Sequence, residues 1–243
     1  MNNKFAVFDI DGTLFRWQLF HELVVQLTIA DVFPKNTFSE VDLAWNKWRG
    51  GEMSFHEYEG LVVETLVHYL PLIPLPVYLA ACDKVVAQSA HKVHFYPRQL
   101  IKDLKKDGYK IIAISGSQQE VLESFCSHYD FDIVIGVIYE QKDGRFTGKI
   151  ERPTIGRKAD ILKELIKEHG LTTEGSVAIG DSDGDIPMLE AAERPIAFNP
   201  SEGLFKHAKE SSWKIVIERK NIAYELAQKD GDLVLSDTTV FQT

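Results

Sequence analysis

Apolar residues follow two rhythms along this chain, and the alternation between them predicts the architecture. Short apolar runs suited to strands covered on both faces occur at residues 5–10, broken only by Asp9, and again at 110–114, 131–136, 176–179, 195–198 and 213–217. Helical spacing falls between them, at 99–106 with Gly108 as the stop and at 157–169 with Gly170 as the stop; Pro187 suits the first turn of a further helix. From about residue 16 to 94 the rhythm is helical throughout: Leu19, Leu23 and Leu27, then Leu61, Thr65 and Tyr69, recur at helical intervals and no strand is evident. Residues 70–81, interrupted by Pro71, Pro74 and Pro76, read as a loop between helices and are too short to span a bilayer. Residues 137–150 read as a β-hairpin turning at Lys142-Asp143-Gly144.

Strands alternating with helices predict an α/β fold, a Rossmann-like doubly wound parallel sheet, with the run at 213–217 completing it. The expected core comprises residues 1–15 and 95–243, carrying a small flap at 137–150, and residues 16–94 form an inserted helical cap. In such sheets ligands gather at the carboxyl ends of strands. Asp9, Ser115 and Asp181 all lie at or just past such ends, so three polar signatures converge on one edge.

The chemistry carried by that edge is acidic. Asp9-Ile10-Asp11-Gly12-Thr13 and Gly180-Asp181-Ser182-Asp183-Gly184-Asp185 each follow an apolar run. Asp9 and Asp11 are two apart, so a local extended backbone leans both side chains to one face while Gly12 lets the chain turn away. Two full charges about 4 Å apart repel by roughly 4 kcal/mol at an effective dielectric of about 20, and Asp181 and Asp185 add to the load. A cation is therefore required, and all-oxygen ligands point to Mg²⁺. A calcium loop starting at Asp181 fails, because its twelfth position is Ala192 where a bidentate Glu is needed. Ser115-Gly116-Ser117 ends a strand; Ser117 with Glu120 forms a capping box for the next helix, and backbone donors there, with Ser115 and Gly116, suit a phosphate. Arg157 and Lys158 sit at a helix start, where the helix dipole disfavours cations unless an anion is close.

A formal net charge of −9 and a pI near 5.4 argue against nucleic-acid binding. Cys82 and Cys126 are too few for a disulfide framework and read as reduced, cytoplasmic thiols. The segment Met1-Asn2-Asn3-Lys4 enters a strand without a secretory signal, so neither export nor membrane attachment is expected.

In order and spacing, Asp-Ile-Asp-Gly-Thr-Leu, Ser115 after a strand, Lys158 before a helix and Gly-Asp-Ser-x-x-Asp resemble the four motifs of the haloacid dehalogenase-like superfamily. The helical insertion resembles its type I cap, and downstream Asn199-Pro200 resembles the phosphoserine phosphatase-like branch. The resemblance implies a phosphomonoesterase acting on a small phosphorylated metabolite through an aspartyl phosphate: Asp9 as nucleophile and Asp11 as general acid and base. It further implies Lys158 and Ser115 on the phosphoryl oxygens, and Mg²⁺ held by Asp9, the Asp11 carbonyl, Asp181 and, in support, Asp185. A phosphotransferase or mutase using the same intermediate, or a non-catalytic phosphometabolite-binding protein, are the alternatives. Phosphoserine-specific members carry a Glu soon after the first motif and an Arg in the cap; here those regions read Phe15-Arg16-Trp17-Gln18-Leu19-Phe20 and Ser54-Phe55-His56-Glu57-Tyr58. Arg16, Trp17 and Arg49 are the expected leaving-group contacts, and the tryptophans suit a cationic group. Core packing is the competing role for most of these.

Overall fold

The computed structural model describes residues 3–229 and 231–242. Strand β1 (Lys4–Phe8) leads into helices α1 (Leu19–Ile29), α2 (Ser39–Arg49), α3 (Phe55–Tyr69) and α4 (Leu75–Ser89) before α5 (Phe95–Lys106) returns the chain to β2 (Lys110–Gln118). Then follow α6 (Gln119–Cys126), β3 (Ile133–Lys142), β4 (Arg145–Arg152), α7 (Lys158–Glu168), β5 (Thr172–Gly180), the single turn α8 (Ile186–Leu189), β6 (Arg194–Phe198), α9 (Glu202–Glu210), β7 (Lys214–Arg219), β8 (Ile222–Lys229) and β9 (Asp232–Val240). No described helix is long and apolar enough to cross a membrane.

The strands form one sheet in the order β4-β3-β2-β1-β5-β6-β7-β8-β9. From β3 through β7 all neighbours are parallel, while β4 at one edge and β8 and β9 at the other are antiparallel. The chain steps outward from β1 to β2 and β3, then crosses back to β5 on the opposite side of β1. This reversal opens a crevice at the carboxyl ends beside β1, the place where open α/β sheets bind ligands.

Alternation along β1 divides the core. Phe5 and Val7 join Ile112, Ile114 and Ala178 on the face covered by α7, α8 and α9. Ala6 and Phe8 join Ile111, Ala113 and Ile179 on the other face, whose apolar cluster runs without a break into α1, α3, α4 and α6. The helical insertion is thus packed on the sheet through shared core; Phe15, fully buried just before it, meets Phe125 of α6 at 5.5 Å between ring centroids.

Two expectations fail. Residues 70–81 are not a loop: Leu70–Leu72 make a tight 3₁₀ turn and α4 starts at Leu75, because Pro76 falls in its first turn, where a missing N–H costs nothing. Nor does the sheet end at 217. Strands β8 and β9 extend it as a hairpin whose outer strand is largely exposed, so charged and polar residues dilute the apolar run there. The predicted hairpin at 137–150 is present, with Asp143 and Gly144 both at positive φ (51° and 75°) as a two-residue turn between paired Lys142 and Arg145 requires. Its tip is tied to the insertion, since Leu75 N–H donates to the Gly144 carbonyl at 3.1 Å and Arg145 to the Leu72 carbonyl at 2.8 Å.

The insertion enters and leaves the sheet along a short ribbon: Arg16 N–H donates to the Lys92 carbonyl at 3.0 Å and His94 N–H to the Leu14 carbonyl at 2.9 Å. Buried Glu218 of β7 clamps both ends. It accepts from Arg16 at 2.7 Å and from Tyr96 N–H at 2.8 Å, and His94 Nδ1 lies 3.1 Å away. Burial alone would raise its pKa, but the hydrogen bonds from His94 and the Tyr96 and Phe95 backbone outweigh this and hold it below 4.5. A depressed carboxylate adds stability above its unfolded pKa, and that stability is lost as pH falls through the folded value. Glu218→Gln should therefore lower stability by about 2 kcal/mol at pH 7, the scale of a charged hydrogen bond. Urea unfolding should show the gap from wild type closing below pH 4.5.

Candidate active site

Each predicted core residue reaches the crevice from a different element. Asp9 follows β1 directly, its N–H bonded to the Ile179 carbonyl of β5 at 3.0 Å, and its side chain is buried. Asp181 follows β5, Ser115 and Ser117 lie near the end of β2, and Lys158 opens α7. Carboxylate oxygens of Asp9, Asp181 and Asp185 all fall within 4.8 Å of one another.

Lys158 binds this cluster together. Its ammonium donates to Asp9 Oδ1 and to Asp185 Oδ1, both at 2.6 Å. The other Asp185 oxygen accepts from Ser182 N–H at 3.0 Å, Ser182 Oγ at 2.8 Å and Asp181 N–H at 3.3 Å, so Asp185 orients the second motif and the lysine together. Burial pulls the Lys158 pKa down, but Asp185 and Asp9 outweigh it and hold the ammonium charged. Asp9 is pushed up to about 7, first by burial, against the pull of Lys158 and with repulsion from Asp185 and Asp11. Asp181 is raised by burial, then by Asp9 and Asp185. Negative charge therefore exceeds what one ammonium compensates. The unspent acceptors of Asp9 and Asp181 form an all-oxygen set that fits a hard divalent cation.

Asp11 stands apart from the three-carboxylate cluster. Its Oδ1 accepts from Leu19 N–H at 2.6 Å, and its Oδ2 from Ser115 Oγ at 2.6 Å and Ser117 Oγ at 2.7 Å. Burial raises its pKa against these three hydrogen bonds, favouring the protonated form. The expected Ser117–Glu120 capping box is absent: α6 begins after Gln118 with no side-chain cap, because β2 continues through Ser117 and turns its hydroxyl to Asp11. Ser115 also gives its proton to Asp11 while accepting from Ser117 N–H at 2.9 Å. Above Gly116 there is room, an added Cβ meeting only Ile155 at 3.7 Å.

Two glycines are required by these close approaches. Gly12 has φ +86°, and a Cβ there would lie 2.3 Å from Asp181 Oδ2. At Gly180 a Cβ would lie 2.6 Å from the Asp185 Cβ. Thr13 is a functional position that the charge pattern does not reveal: its hydroxyl sits 3.2 Å from Asp9 Oδ2 and 3.0 Å from Asp181 Oδ1, bridging the two motifs.

The expected leaving-group residues separate. Arg16 bonds to Glu218 and to the Val93 carbonyl at 2.8 Å, which anchors the start of the insertion to β7. Arg49 ends α2 exposed, its guanidinium 5.8 Å from the Trp45 ring, and forms no ion pair among the described residues. Arg157 pairs with Glu164 at 3.8 Å. Trp17 does face the insertion, packing against His21, Trp45, Trp48 and Phe55. Within this aromatic group buried His21 has no partner for either ring nitrogen among the described residues, at a cost of about 1–3 kcal/mol for each unmade hydrogen bond.

The family model for haloacid dehalogenase-like hydrolases matches residues 6–190. A phosphoserine phosphatase of Archaeoglobus fulgidus is 29% identical over 203 residues, which is 83% of this chain and 54% of that protein. A phosphoserine phosphatase of Halobacterium salinarum is 25% identical over 205 residues, 83% of this chain and 89% of that protein. The chain spans about half the length of several of the curated relatives it matches. A solved protein of unknown function from Bordetella pertussis Tohama I shares the fold with a TM-score of 0.73 at 22% identity, over 90% of this chain and 99% of that one.

Removing the ammonium should expose the repulsion it holds in check. Lys158→Met is expected to cost about 3–5 kcal/mol at pH 8, the range for breaking a buried ion pair. Raised carboxylates contribute stability that disappears as pH climbs through their folded pKa, so the loss should be smaller at pH 5 than at pH 8. Urea unfolding at both pH values in chelator checks this; an equal loss at both would contradict the electrostatic account.

Proposed function

The chain belongs to the haloacid dehalogenase-like hydrolases, and on that footing we propose that it is a Mg²⁺-dependent phosphomonoesterase acting on a small phosphorylated metabolite. The observation that carries this reading is the Lys158 ammonium set between Asp9 and Asp185, with Asp181 alongside, at the sheet's reversal point. Three segments far apart in sequence meet there in the arrangement phosphoryl transfer needs, since that reaction is catalysed chiefly by positioning and electrostatics.

Asp9 is the nucleophile: its carboxylate oxygen bonds to phosphorus as the ester P–O bond breaks, and Asp11 gives its proton to the departing alkoxide. Water then bonds to phosphorus while Asp11 takes its proton and the Asp9–phosphorus bond breaks, releasing phosphate and restoring both carboxyl groups. The raised pKa of Asp11 suits the first of these roles. Its proton sits among three donors, Leu19 N–H, Ser115 and Ser117, that also stabilise the carboxylate left behind. Lys158 holds Asp9 ionised and faces the phosphoryl oxygens, which the Ser115 hydroxyl and the Gly116 amide also receive once Ser115 turns from Asp11. Asp9, Asp181 and the Asp11 carbonyl, with Asp185 in support, would hold Mg²⁺, which would supply neutralisation of the phosphoryl charge.

We assign residues 16–94 as a cap over a core made of 1–15 and 95–243, closing the site against water. The buried free thiols of Cys82 and Cys126 favour a reducing, cytoplasmic setting.

Phosphate release from an undemanding aryl phosphate should require Mg²⁺ and fall to background in Asp9→Asn. Asp11→Asn should slow both half-reactions by about 10²–10⁴-fold in single-turnover kinetics. Persistent turnover in Asp9→Asn would remove the nucleophile assignment, and faster capture of phosphate by an added alcohol than by water would redefine the enzyme as a transferase.

A further inference from the structure

We propose that the chamber between α1, α2 and α3 receives the alcohol half of the substrate, and that this half carries a protonated amine. The proposal rests on the phosphomonoesterase reading and names the substrate class of that same site. The chamber has a volume of about 470 Å³ and is walled by Trp17, His21, Trp45, Tyr58 and Val62, with Asp42 at its mouth. It lies close to the chemistry. Trp17 contributes its ring to the chamber and its carbonyl to Gly12 N–H at 3.0 Å, and His21 is two residues beyond Leu19, whose N–H holds Asp11.

The polar group that points to a ligand is His21. It is only 6% exposed, lies among the rings of Trp17, Phe20, Phe55 and Tyr58 at centroid distances of 4.3–6.2 Å, and neither nitrogen has a hydrogen-bond partner among the described residues. A phenyl ring of similar shape would pack there without that cost, so the imidazole is accounted for by a polar occupant. Burial lowers its pKa to about 4, leaving it neutral near pH 7 with one lone pair able to accept from an ammonium N–H.

Charge complementarity selects the occupant. No Lys or Arg lines the chamber; its ionisable carboxylates are Glu22, which meets Ser89 and Lys92, and Asp42, which has no ion pair among the described residues. Glu59 of α3, half-buried and one helical turn past Phe55, has no hydrogen-bond partner among the described residues and is close enough to Asp11 and Lys158 to feel both charges. Indole and phenol faces add cation–π attraction. Arg49 over the Trp45 ring already displays that affinity. A carboxylate-bearing leaving group would meet a lining of acidic and aromatic side chains, the neighbouring cations being Arg49, set over the Trp45 ring, and Lys92, beside Glu22.

The test compares kcat/KM for phosphoethanolamine, phosphocholine and phosphoglycolate in the wild type, His21→Phe, Trp45→Leu and the exposed Asp42→Asn. Phosphoethanolamine is expected to exceed phosphoglycolate by about tenfold or more, equivalent to roughly 1.4 kcal/mol. Phosphocholine, which has no N–H for His21, should fall between them. His21→Phe should raise KM for phosphoethanolamine more than it lowers kcat and bring its value down to that of phosphocholine, while Asp42→Asn should reduce the preference for both cations. In parallel, tryptophan fluorescence titrations of Asp9→Asn with ethanolamine measure the chamber without catalysis. Aryl phosphate turnover with neither amine preference nor ethanolamine binding would overturn the chamber assignment, as would an unchanged ranking in all three variants, which would leave ordered water as the partner of His21. Ethanolamine binding abolished by Trp45→Leu in a protein that hydrolyses no ester would uphold the chamber and reject the phosphatase reading.

Discussion

One ammonium among buried carboxylates sets the terms for this structure. Lys158 sits 2.6 Å from both Asp9 and Asp185, and Asp181 lies in the same cluster, so the fold must bring together groups that repel one another. Charges of that kind are tolerated in a protein interior only when paired and hydrogen-bonded. The surrounding geometry follows from this. Asp185 has both oxygens engaged, Thr13 bridges Asp9 and Asp181, and Gly12 and Gly180 omit the side chains that would force the motifs apart. What stays uncompensated is the negative charge on Asp9 and Asp181, which is the site's capacity to take a hard cation and, with it, a phosphoryl group.

The central sheet makes this concentration of charge structurally possible. Apart from Ser176, the buried positions of strands β1 and β5 carry no polar side chain, with Phe5, Val7, Ala178 and Ile179 completely covered, and Asp9 and Asp181 come just past the strand ends. Burial of each large side chain contributes about 1.5–3 kcal/mol, so the sheet supplies the stability against which the site is held. The helical insertion is joined to the same apolar cluster, tied at its two ends by Glu218 and at residues 72–75 by the β3–β4 hairpin. That attachment leaves α1 with two faces of work: its first N–H fixes Asp11, and its next turn carries His21 into the aromatic chamber.

Conserving the position of Asp11 therefore depends on groups of quite different kinds. Two serines of β2 and the first amide of α1 share its carboxyl oxygens, so movement of the insertion relative to β2 would alter the group assigned to proton transfer. The insertion and the Asp11 carboxyl are mechanically linked through α1.

The alternating strands and helices and the placement of Asp9, Ser115 and Asp181 at strand ends were legible in the chain, because apolar periodicity and strand termini are local properties. The helical character of residues 16–94 and the turn at Asp143-Gly144 were legible for the same reason, whereas the largely exposed β9 and its partner β8 carry too weak an apolar signal and were missed. Partner choice was not local. Arg16 reads as a candidate substrate contact, and only folding brings Glu218 to it from 202 residues away; Ser117 reads as a helix cap until β2 runs on and presents it to Asp11. His21 has no distinguishing neighbour in sequence, and its meaning comes from rings on α1 and α3 closing around it. Periodicity determines which residues form each element, but a polar side chain bonds to whatever lies within about 3 Å, and that distance is set by tertiary packing alone.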